Sequence, residues 1–297
     1  MKSGFIALIG HPNVGKSTFL NAVLGEKITI TSSKPQTTRH TIRGVYNDED
    51  AQIVFIDTPG IHKPKHELGS MMRTAALRTL GSVDLIMLMV DALDDKTPLD
   101  EELLKRLNAI DTPCFLVLNK LDAVRDFDRL KAYVEKLKGL HDFEGVFAIS
   151  ALKDWHTSEL IKDIKAVMEE GPAYYPKDQI TDQPERMVIS ERIREKVLAT
   201  TREEVPHSVA VVVDSMAYDE DNKDLLNIHA TIYVERDSQK KIVIGKGGSM
   251  IKRIGTKARK DILALLGTKV YLDLHCKVMK DWRNKNVHLK NFGYRDE

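Results

Sequence analysis

The feature that most constrains this chain is the run Gly10-His11-Pro12-Asn13-Val14-Gly15-Lys16-Ser17, which directly follows an apolar segment at residues 5–9. It matches the pattern G-x-x-x-x-G-K-[ST], and a helical pattern at residues 17–24 follows it. In this context the glycines let backbone N–H groups surround phosphate oxygens, Lys16 reaches the terminal phosphates, and Ser17 can bind Mg²⁺. A chance glycine turn of this pattern recurs in roughly one in a hundred chains of this length. The motif therefore predicts a nucleotide phosphate site that extends to Thr18.

Short apolar runs alternate with amphipathic, charged segments through the first 150 residues. The runs lie at 5–9, 53–56, 85–90, 115–118 and 146–149. This alternation predicts an α/β domain with a mostly parallel sheet and helices on both faces. Residues 171–185 have no helical or strand period and are rich in proline, tyrosine and turn formers. We interpret them as a linker between domains at 1–170 and 186–297.

The second domain has a different order of predicted elements. A helical pattern near 185–203 precedes strands at 208–214 and 228–235, a short helix at 239–244, a longer helix to residue 266, and a strand at 269–277. This order, α-β-β-α-α-β, indicates an α+β unit.

Composition excludes several classes of protein. The chain has 297 residues, of which 42% are hydrophobic and 30% charged, as in soluble globular proteins of about two domains. Its apolar runs are shorter than the roughly 18–20 residues that a bilayer requires, and the N-terminal residues do not match the pattern of a signal peptide. We therefore expect a cytoplasmic protein. Only Cys114 and Cys276 are cysteines, which excludes a disulfide scaffold and favours two core thiols.

Three further segments follow predicted strands. Asp57-Thr58-Pro59-Gly60 places a carboxylate where a phosphate-bound metal would lie, and the Gly60 amide could bond a γ-phosphate. In Asn119-Lys120-Leu121-Asp122, the last carboxylate can accept hydrogen bonds from guanine N1–H and the 2-amino group, which adenine does not offer. The backbone of Ser150-Ala151 could close over guanine O6, although that segment alone is weak evidence and an ordinary strand end is the alternative.

Charge is distributed unevenly between the halves. Residues 1–185 carry a net charge of −5 and residues 186–297 carry +6. Residues 238–260 hold eight Lys or Arg and no carboxylate, around the loop Gly245-Lys246-Gly247-Gly248, which favours a polyanion partner. In the following helix an apolar stripe is predicted to pack on the sheet, while Lys252, Arg253 and Lys257 point elsewhere. The stripe comprises Ile251, Ile254, Ala258, Ile262 and Leu265. Taken singly, the loop could be a tight connection and the basic face merely solvated.

The ordered set GHPNVGKS, DTPG, NKLD and SAL resembles the translation-factor-related GTPases, and with the GKGG loop the whole chain resembles the Era family of bacterial ribosome-assembly GTPases. The resemblance implies a GTPase domain that binds GTP with Mg²⁺, followed by a type II KH domain that clamps single-stranded RNA. It implies RNA contacts from Ile244, the GKGG loop, Lys252, Arg253 and Lys257. It also implies a first switch loop at 32–43, in which Thr38, with Thr37 as the fallback, joins Ser17 and Asp57 at the Mg²⁺.

The resemblance further implies the chemistry. Lys16, Thr38 and Asn13 are the expected catalytic residues, with Asn13 helping to bind K⁺; the alternative is that Asn13 only stabilises the loop through side-chain-to-backbone bonds. Ile61, also expected at the nucleotide, stands where many small GTPases carry a water-orienting glutamine, so intrinsic hydrolysis should be slow. From the residues themselves, His62 and His66 are expected to be exposed to solvent rather than to act as ligands. Trp282 could stack on RNA or pack against the sheet.

The function implied is that of a GTP-hydrolysing switch that binds the 3′ end of small-subunit ribosomal RNA during assembly of the small ribosomal subunit. Two alternatives remain open: a constitutive RNA-binding protein with a structural nucleotide pocket, and a peripheral-membrane cell-cycle regulator. The partners expected are GTP and GDP, the ribosomal RNA and the small subunit, with weak attachment to the inner face of the cell membrane possible. A monomer is expected.

Overall fold

The first 170 residues fold around a six-stranded sheet in a computed structural model that describes residues 1–294. The strand order is β2-β3-β1-β4-β5-β6, and all neighbours are parallel except β2 and β3. The strands are β1 (Lys2–Ile9), β2 (Ile42–Asn47), β3 (Ala51–Asp57), β4 (Leu85–Asp91), β5 (Cys114–Asn119) and β6 (Gly145–Ala148). The predicted mostly parallel α/β fold is confirmed.

Helices cover both faces of this sheet, because the central strands are apolar on both sides. Residues 85–89 of β4, for example, are all fully buried. The helices are α1 (Lys16–Leu24), α2 (Glu67–Arg78), α3 (Glu101–Leu107), α4 (Phe127–Lys138) and α5 (Thr157–Val167). Since β1, β3, β5 and β6 are parallel, their carboxyl ends meet at one edge, and the predicted nucleotide segments follow these four strands.

The edge strand β2 was not among the predicted elements. Its sequence IRGVYN contains no continuous apolar run, since one face lies toward α1 and the other is partly exposed. Gly44 permits that packing, because a Cβ there would lie 2.7–2.8 Å from side-chain atoms of Leu20, Leu24 and Ile28.

The segment between the two domains runs along β2. The backbone N–H of Val45 donates to Ile180 O (2.9 Å), Thr181 Oγ1 donates to Arg43 O (2.7 Å), and Arg43 forms an ion pair with Asp182. The segment is therefore held against the first domain by hydrogen bonds. The boundaries 1–170, 171–185 and 186–297 stay a prediction.

The second domain is a three-stranded sheet, ordered β7-β8-β9, with its longer helices packed on one face. β8 is antiparallel to β7 and parallel to β9. The elements are α6 (Glu185–Thr200), α7 (Val205–Ser208), β7 (Ala210–Tyr218), β8 (Leu225–Val234), α8 (Asp237–Ile244), α9 (Ser249–Leu266), β9 (Lys269–Val278) and α10 (Asn286–Asn291). The predicted α-β-β-α-α-β order is confirmed, with short α7 and α10 added.

The predicted apolar stripe of α9 was wrong at one position. Ile254, Ala258 and Ile262 are fully buried and Ile251 packs beside them, but Leu265 is 43% exposed. Leu266 packs on the core instead, because the buried residues after Ile254 recur every four positions and the fourth residue after Ile262 is Leu266. In residues 1–294, no helix is both long and apolar enough to cross a membrane.

Candidate functional site: a glycine-loop cavity and a basic groove

The loop after β1 requires glycine at two positions. Gly10 has φ +152°, and a Cβ there would lie 2.1 Å from Met89 O; Gly15 has φ +100°, and a Cβ there would lie 2.1 Å from Asn119 Nδ2. Gly15 also caps α1, so the helix N-terminus opens directly onto the loop. Its unpaired N–H groups and partial positive charge favour phosphate at this point.

Lys16 is buried at the centre of this loop. Its Nζ donates to Gly10 O (3.1 Å) and to His11 O (3.0 Å). Burial lowers the pKa of Lys16 to about 8, although the nearby Asp57 carboxylate acts in the opposite direction. A phosphate in this loop would supply the negative charge that favours the protonated amine.

The predicted Mg²⁺ ligands lie together. Ser17 Oγ donates to Asp57 Oδ2 (2.6 Å) and lies 2.8 Å from Thr38 Oγ1. Within the described chain, Asp57 Oδ1 is buried without a hydrogen-bond partner, and burial raises the pKa of Asp57 to about 6. Two hydroxyls and an unsatisfied carboxylate are oxygen donors of the kind that Mg²⁺ takes, so the residues present fit this ion. The fallback, Thr37, instead donates from Oγ1 to Lys34 O (2.6 Å) within its own loop.

The segments after β5 and β6 are joined to the phosphate loop. Asn119 Nδ2 donates to Val14 O (2.8 Å), and its Oδ1 accepts from the Ala151 N–H (2.9 Å). Asn119 is therefore a brace between the phosphate loop and residues 150–151. Ser150 Oγ donates to Asp122, whose carboxylate is thereby oriented along one wall of the cavity.

These segments enclose a cavity of about 380 Å³. Eleven predicted residues line it: Pro12, Asn13, Gly15, Lys16, Ser17, Thr18, Thr38, Gly60, Asn119, Lys120 and Asp122. Other predicted residues support the wall from behind. The Thr58 hydroxyl donates to Leu8 O (2.7 Å), Ile61 is buried in the core, and the His11 ring turns outward to Pro98 O (3.0 Å).

Two contacts between the loops near the phosphate site were not predicted. Gln36 lines the cavity, and its Nε2 lies 2.9 Å from His62 Nε2, while His62 Nδ1 lies 3.1 Å from Gly60 O. The expectation that His62 is exposed was therefore wrong, because the loop at 32–38 folds over it. Asn13 Nδ2 donates to Ser33 O (3.0 Å), a side-chain-to-backbone bond that joins the phosphate loop to the same segment.

The predicted RNA loop lies between α8 and α9. Gly245, Gly247 and Gly248 all have φ between +58° and +79°, and no atom of residues 1–294 lies within 4 Å of a Cβ built at Gly247 or Gly248. Glycine is thus favoured there by backbone conformation, and the space above the loop is open to a ligand. Lys246, Lys252, Arg253 and Lys257 are exposed, and Arg253 lines a separate pocket with residues 31–34 of the first domain, whereas Ile244 packs partly into the core.

A groove of about 620 Å³ lies between α9 and β9. Lys252, Arg259 and Lys260 line it together with Tyr271, Leu272 and Leu274. Gly255 forms its floor, where a Cβ would already touch Leu274 at 3.4 Å. The sequence signal that could have revealed this groove is a glycine inside a basic amphipathic helix.

The two sites are connected through a buried contact between the domains. Arg39, next to Thr38, is buried and donates to Val209 O (2.6 Å) and Tyr294 Oη (3.2 Å), with its guanidinium 5.8 Å from the Trp282 ring centre. Trp282 is fully buried beside Tyr294 and donates to Ser208 O (2.9 Å), so of the two open interpretations the structure supports packing within the protein and not stacking on RNA.

The second loop near the phosphates also reaches the second domain. His66 Nε2 accepts from Arg283 (2.9 Å) and is half-buried, so its expected exposure was wrong too. Leu68 and Met72, at the start of α2, pack in one cluster with Trp282, Leu289 and Tyr294.

The chain is similar to known families over both domains. Residues 5–120 match the family described as 50S ribosome-binding GTPase, and residues 204–283 match the KH domain family. Two solved structures each share 40% identity with this chain over 99% of both chains, with a TM-score of 0.95. One is a tyrosine-to-alanine variant of Era from Aquifex aeolicus bound to GDP and AlF₄⁻, and the other is Era with MgGDPNP and nucleotides 1506–1542 of 16S ribosomal RNA. This chain belongs to the Era family of GTPases.

Proposed function

We propose that this chain is a GTP-hydrolysing switch that binds the 3′ end of 16S ribosomal RNA and acts in assembly of the small ribosomal subunit, in the cytoplasm. The observation that carries the proposal is one continuous arrangement: a phosphate cavity whose flanking loops contact a KH domain with an open, basic glycine loop. The Era relative bound to MgGDPNP and 16S ribosomal RNA supports it. We propose that it acts as a monomer.

The reaction is GTP plus water to GDP plus phosphate. The amides of the phosphate loop and the N-terminus of α1 stabilise negative charge on the β- and γ-phosphates. Lys16 exchanges a carbonyl partner for a phosphate oxygen, which restores a counter-charge to its buried amine. Ser17 and Thr38, with Asp57 behind them, would hold Mg²⁺, which supplies Lewis-acid stabilisation when bound.

Guanine selectivity rests on Asp122. Its carboxylate accepts hydrogen bonds from N1–H and the 2-amino group, and Ser150 holds it in place.

We also propose that Asn13 contributes a K⁺ site, since its Oδ1 accepts no hydrogen bond among residues 1–294 while its amide nitrogen donates to Ser33 O. Turnover should be faster in potassium than in sodium for the natural chain and indifferent to the cation in Asn13→Ala; equal rates for the natural chain would contradict the K⁺ site.

Coupling between the sites would run through the first switch loop. Arg39 and the backbone of Thr37 and Thr31 all contact the second domain: Arg194 donates to Thr37 O, and the Thr31 N–H donates to Glu195 (3.1 Å). A γ-phosphate that draws Thr38 toward the metal therefore moves residues bonded to the KH domain.

The RNA site is tested by a matched pair of variants. Asp and Asn have nearly the same size and both tolerate a left-handed backbone, so Gly247→Asp and Gly247→Asn differ mainly in charge, and the space around Gly247 is open. For an oligonucleotide from the 3′ end of 16S ribosomal RNA, we expect Gly247→Asp to lose at least about tenfold more affinity than Gly247→Asn, because a carboxylate repels the phosphate backbone. Equal affinity of both variants and the natural chain would contradict this site.

Two further measurements separate the alternatives. A constitutive RNA binder predicts that Lys16→Ala leaves RNA affinity with nucleotide unchanged, whereas the switch predicts a change. A peripheral-membrane regulator predicts partition onto anionic vesicles at physiological salt. We propose only a weak attachment there, because the basic helix α9 carries no large aromatic residue.

A further inference from the structure

We propose that Gln36 orients the water that attacks the γ-phosphate, and that His62 is the positioning residue that fixes the Gln36 amide for this task. The proposal rests on GTP hydrolysis as the proposed function and names how this chain carries it out. It begins from Ile61, which occupies the position directly after Gly60 and is 1% exposed, with its side chain in the core. That side chain has no polar atom and cannot direct a water.

Gln36 lies where such a group is needed. It lines the nucleotide cavity together with Lys16, Thr38 and Gly60, the residues around the terminal phosphate. Its backbone has φ +60°, in the left-handed region that a non-glycine residue adopts at a free-energy cost. The loop thus holds a long polar side chain over the cavity in a conformation that its backbone does not prefer.

Hydrogen-bond partners determine which way the amide faces. Gly60 O can only accept, so His62 Nδ1, 3.1 Å away, carries the ring proton. In the neutral ring Nε2 is then an acceptor, and it lies 2.9 Å from Gln36 Nε2, which must donate. The reversed amide would set Oε1 against a ring lone pair. Among the described residues nothing donates to Oε1, which is left to accept a proton from water.

The hydrolysis step requires no charged general base. Gln36 Oε1 accepts a hydrogen bond from one water proton and so aims a water lone pair at the phosphorus. The water oxygen forms its bond to the γ-phosphorus while the bond from that phosphorus to the β–γ bridging oxygen breaks. The electron pair stays on GDP, and the proton from water ends on the phosphate product. A neutral amide is sufficient because most of the barrier is reduced by positioning and charge stabilisation.

Gln36→Gly separates the side chain from the backbone. Glycine adopts φ +60° without strain, so this variant keeps the loop shape and removes only the amide. We expect single-turnover hydrolysis to fall on the order of 100-fold, with affinity for a non-hydrolysable GTP analogue unchanged. Gln36→Asn, one methylene too short to reach His62, should show a similar loss. Hydrolysis by Gln36→Gly at the rate of the natural chain would overturn the proposal, as would a loss of hydrolysis explained wholly by weaker analogue binding.

A double-mutant cycle tests the positioning role of His62. His62→Phe keeps a ring in place and removes both hydrogen bonds, so we expect a smaller fall in hydrolysis than for Gln36→Gly, again with analogue affinity unchanged. In the Gln36→Gly background the same change should have no further effect. Multiplicative losses would show that His62 acts independently of Gln36 and overturn its assigned role. Absence of GTP hydrolysis by the natural chain would instead reject the proposed function.

Discussion

At the scale of single residues, selectivity for the base depends on one carboxylate. Asp122 lies in the wall of the cavity and accepts from Ser150 Oγ, which leaves its remaining lone pairs for the base. Two donors side by side on guanine match this acceptor. Adenine presents an unprotonated N1 to the same carboxylate, so the pair would repel and both groups would lose water without gaining a bond.

Asp122→Asn should therefore change which base is bound. The amide supplies a donor where guanine also donates, so GDP affinity should fall about 100-fold or more, whereas xanthosine diphosphate, with a carbonyl at C2, should bind better than to the natural chain. Competition against a labelled nucleotide measures both. Asp128→Asn, at an exposed position of α4, is the control and should bind GDP normally. Unchanged preference in Asp122→Asn would contradict the assigned base contact.

His40 gives the interdomain contact a dependence on pH. Its ring stacks on Tyr294, and burial lowers the pKa of His40 to about 4; Glu191 acts to raise it, while Arg194 and Arg39 lower it. Between about pH 6.5 and pH 4 the unfolded chain binds a proton that the folded chain does not, so stability should fall as the pH decreases through this window. Urea unfolding at about pH 7.5 and pH 5 should show a smaller pH dependence in His40→Phe, which keeps the ring. The same dependence in both proteins would exclude His40 as a source.

At the scale of elements, the phosphate loop and the segment after β3 approach each other closely. A Cβ at Gly60 would lie 2.6 Å from both Cα and N of Pro12, which are backbone atoms and cannot rotate away. A Cβ at Gly81, by contrast, would have no atom of the described part of the chain within 4 Å. The contact between these two loops therefore depends on the missing side chain at Gly60.

Gly60→Ala should destabilise the fold by about 2 kcal/mol and weaken binding of the GTP analogue more than binding of GDP, since Gly60 lies at the terminal-phosphate end. Gly81→Ala is the matched control and should change stability by less than about 1 kcal/mol. Denaturant unfolding and nucleotide titration measure the two effects. Equal stability of the two variants would show that the phosphate loop and the segment after β3 can move apart without a loss of folding free energy.

Elements with strong local signals could be predicted from the sequence. β4 and β5 are continuous apolar runs because both faces of the sheet are covered, and the glycine loop is contiguous in the chain. β2 lacks such a run because it is an edge strand with one partly exposed face. The predicted stripe allowed spacings of three or four and so took Leu265, whereas the buried residues of α9 after Ile254 keep a spacing of four that ends at Leu266.

The motifs of the nucleotide site could be predicted from the sequence, but the contacts between its loops could not. Its motifs each follow a strand, so their meeting at one sheet edge follows from the parallel topology. The pair Gln36 and His62 comes from two loops that touch only after folding, and each residue alone is unremarkable in the sequence. The bracing role of Asn119 likewise depends on a contact with Val14, 105 positions away.

At the scale of the whole molecule, Arg39 links the two domains through several hydrogen bonds. Its guanidinium bonds the second domain while its neighbour Thr38 lies at the metal site, so the two positions cannot move independently. Arg39→Lys keeps the charge but loses the planar fork that reaches several acceptors. We expect the ratio of RNA affinities between the GTP-analogue and GDP states to fall toward one, while GTP affinity is little changed.

The control for this experiment is Arg106→Lys, whose ion pair lies on the exposed face of α3. It should keep the affinity ratio of the natural chain. If the ratio is also unaltered in Arg39→Lys, the coupling between the nucleotide state and RNA affinity does not depend on the Arg39 contacts.

The central claim, that nucleotide controls RNA binding, is tested most directly by one titration. The affinity for an oligonucleotide from the 3′ end of 16S ribosomal RNA is measured for the full chain without nucleotide, with GDP, and with a non-hydrolysable GTP analogue. We predict the tightest binding with the GTP analogue and its loss in Gly247→Asp. The same affinity in all three states would contradict a switch and leave two independent modules on one chain.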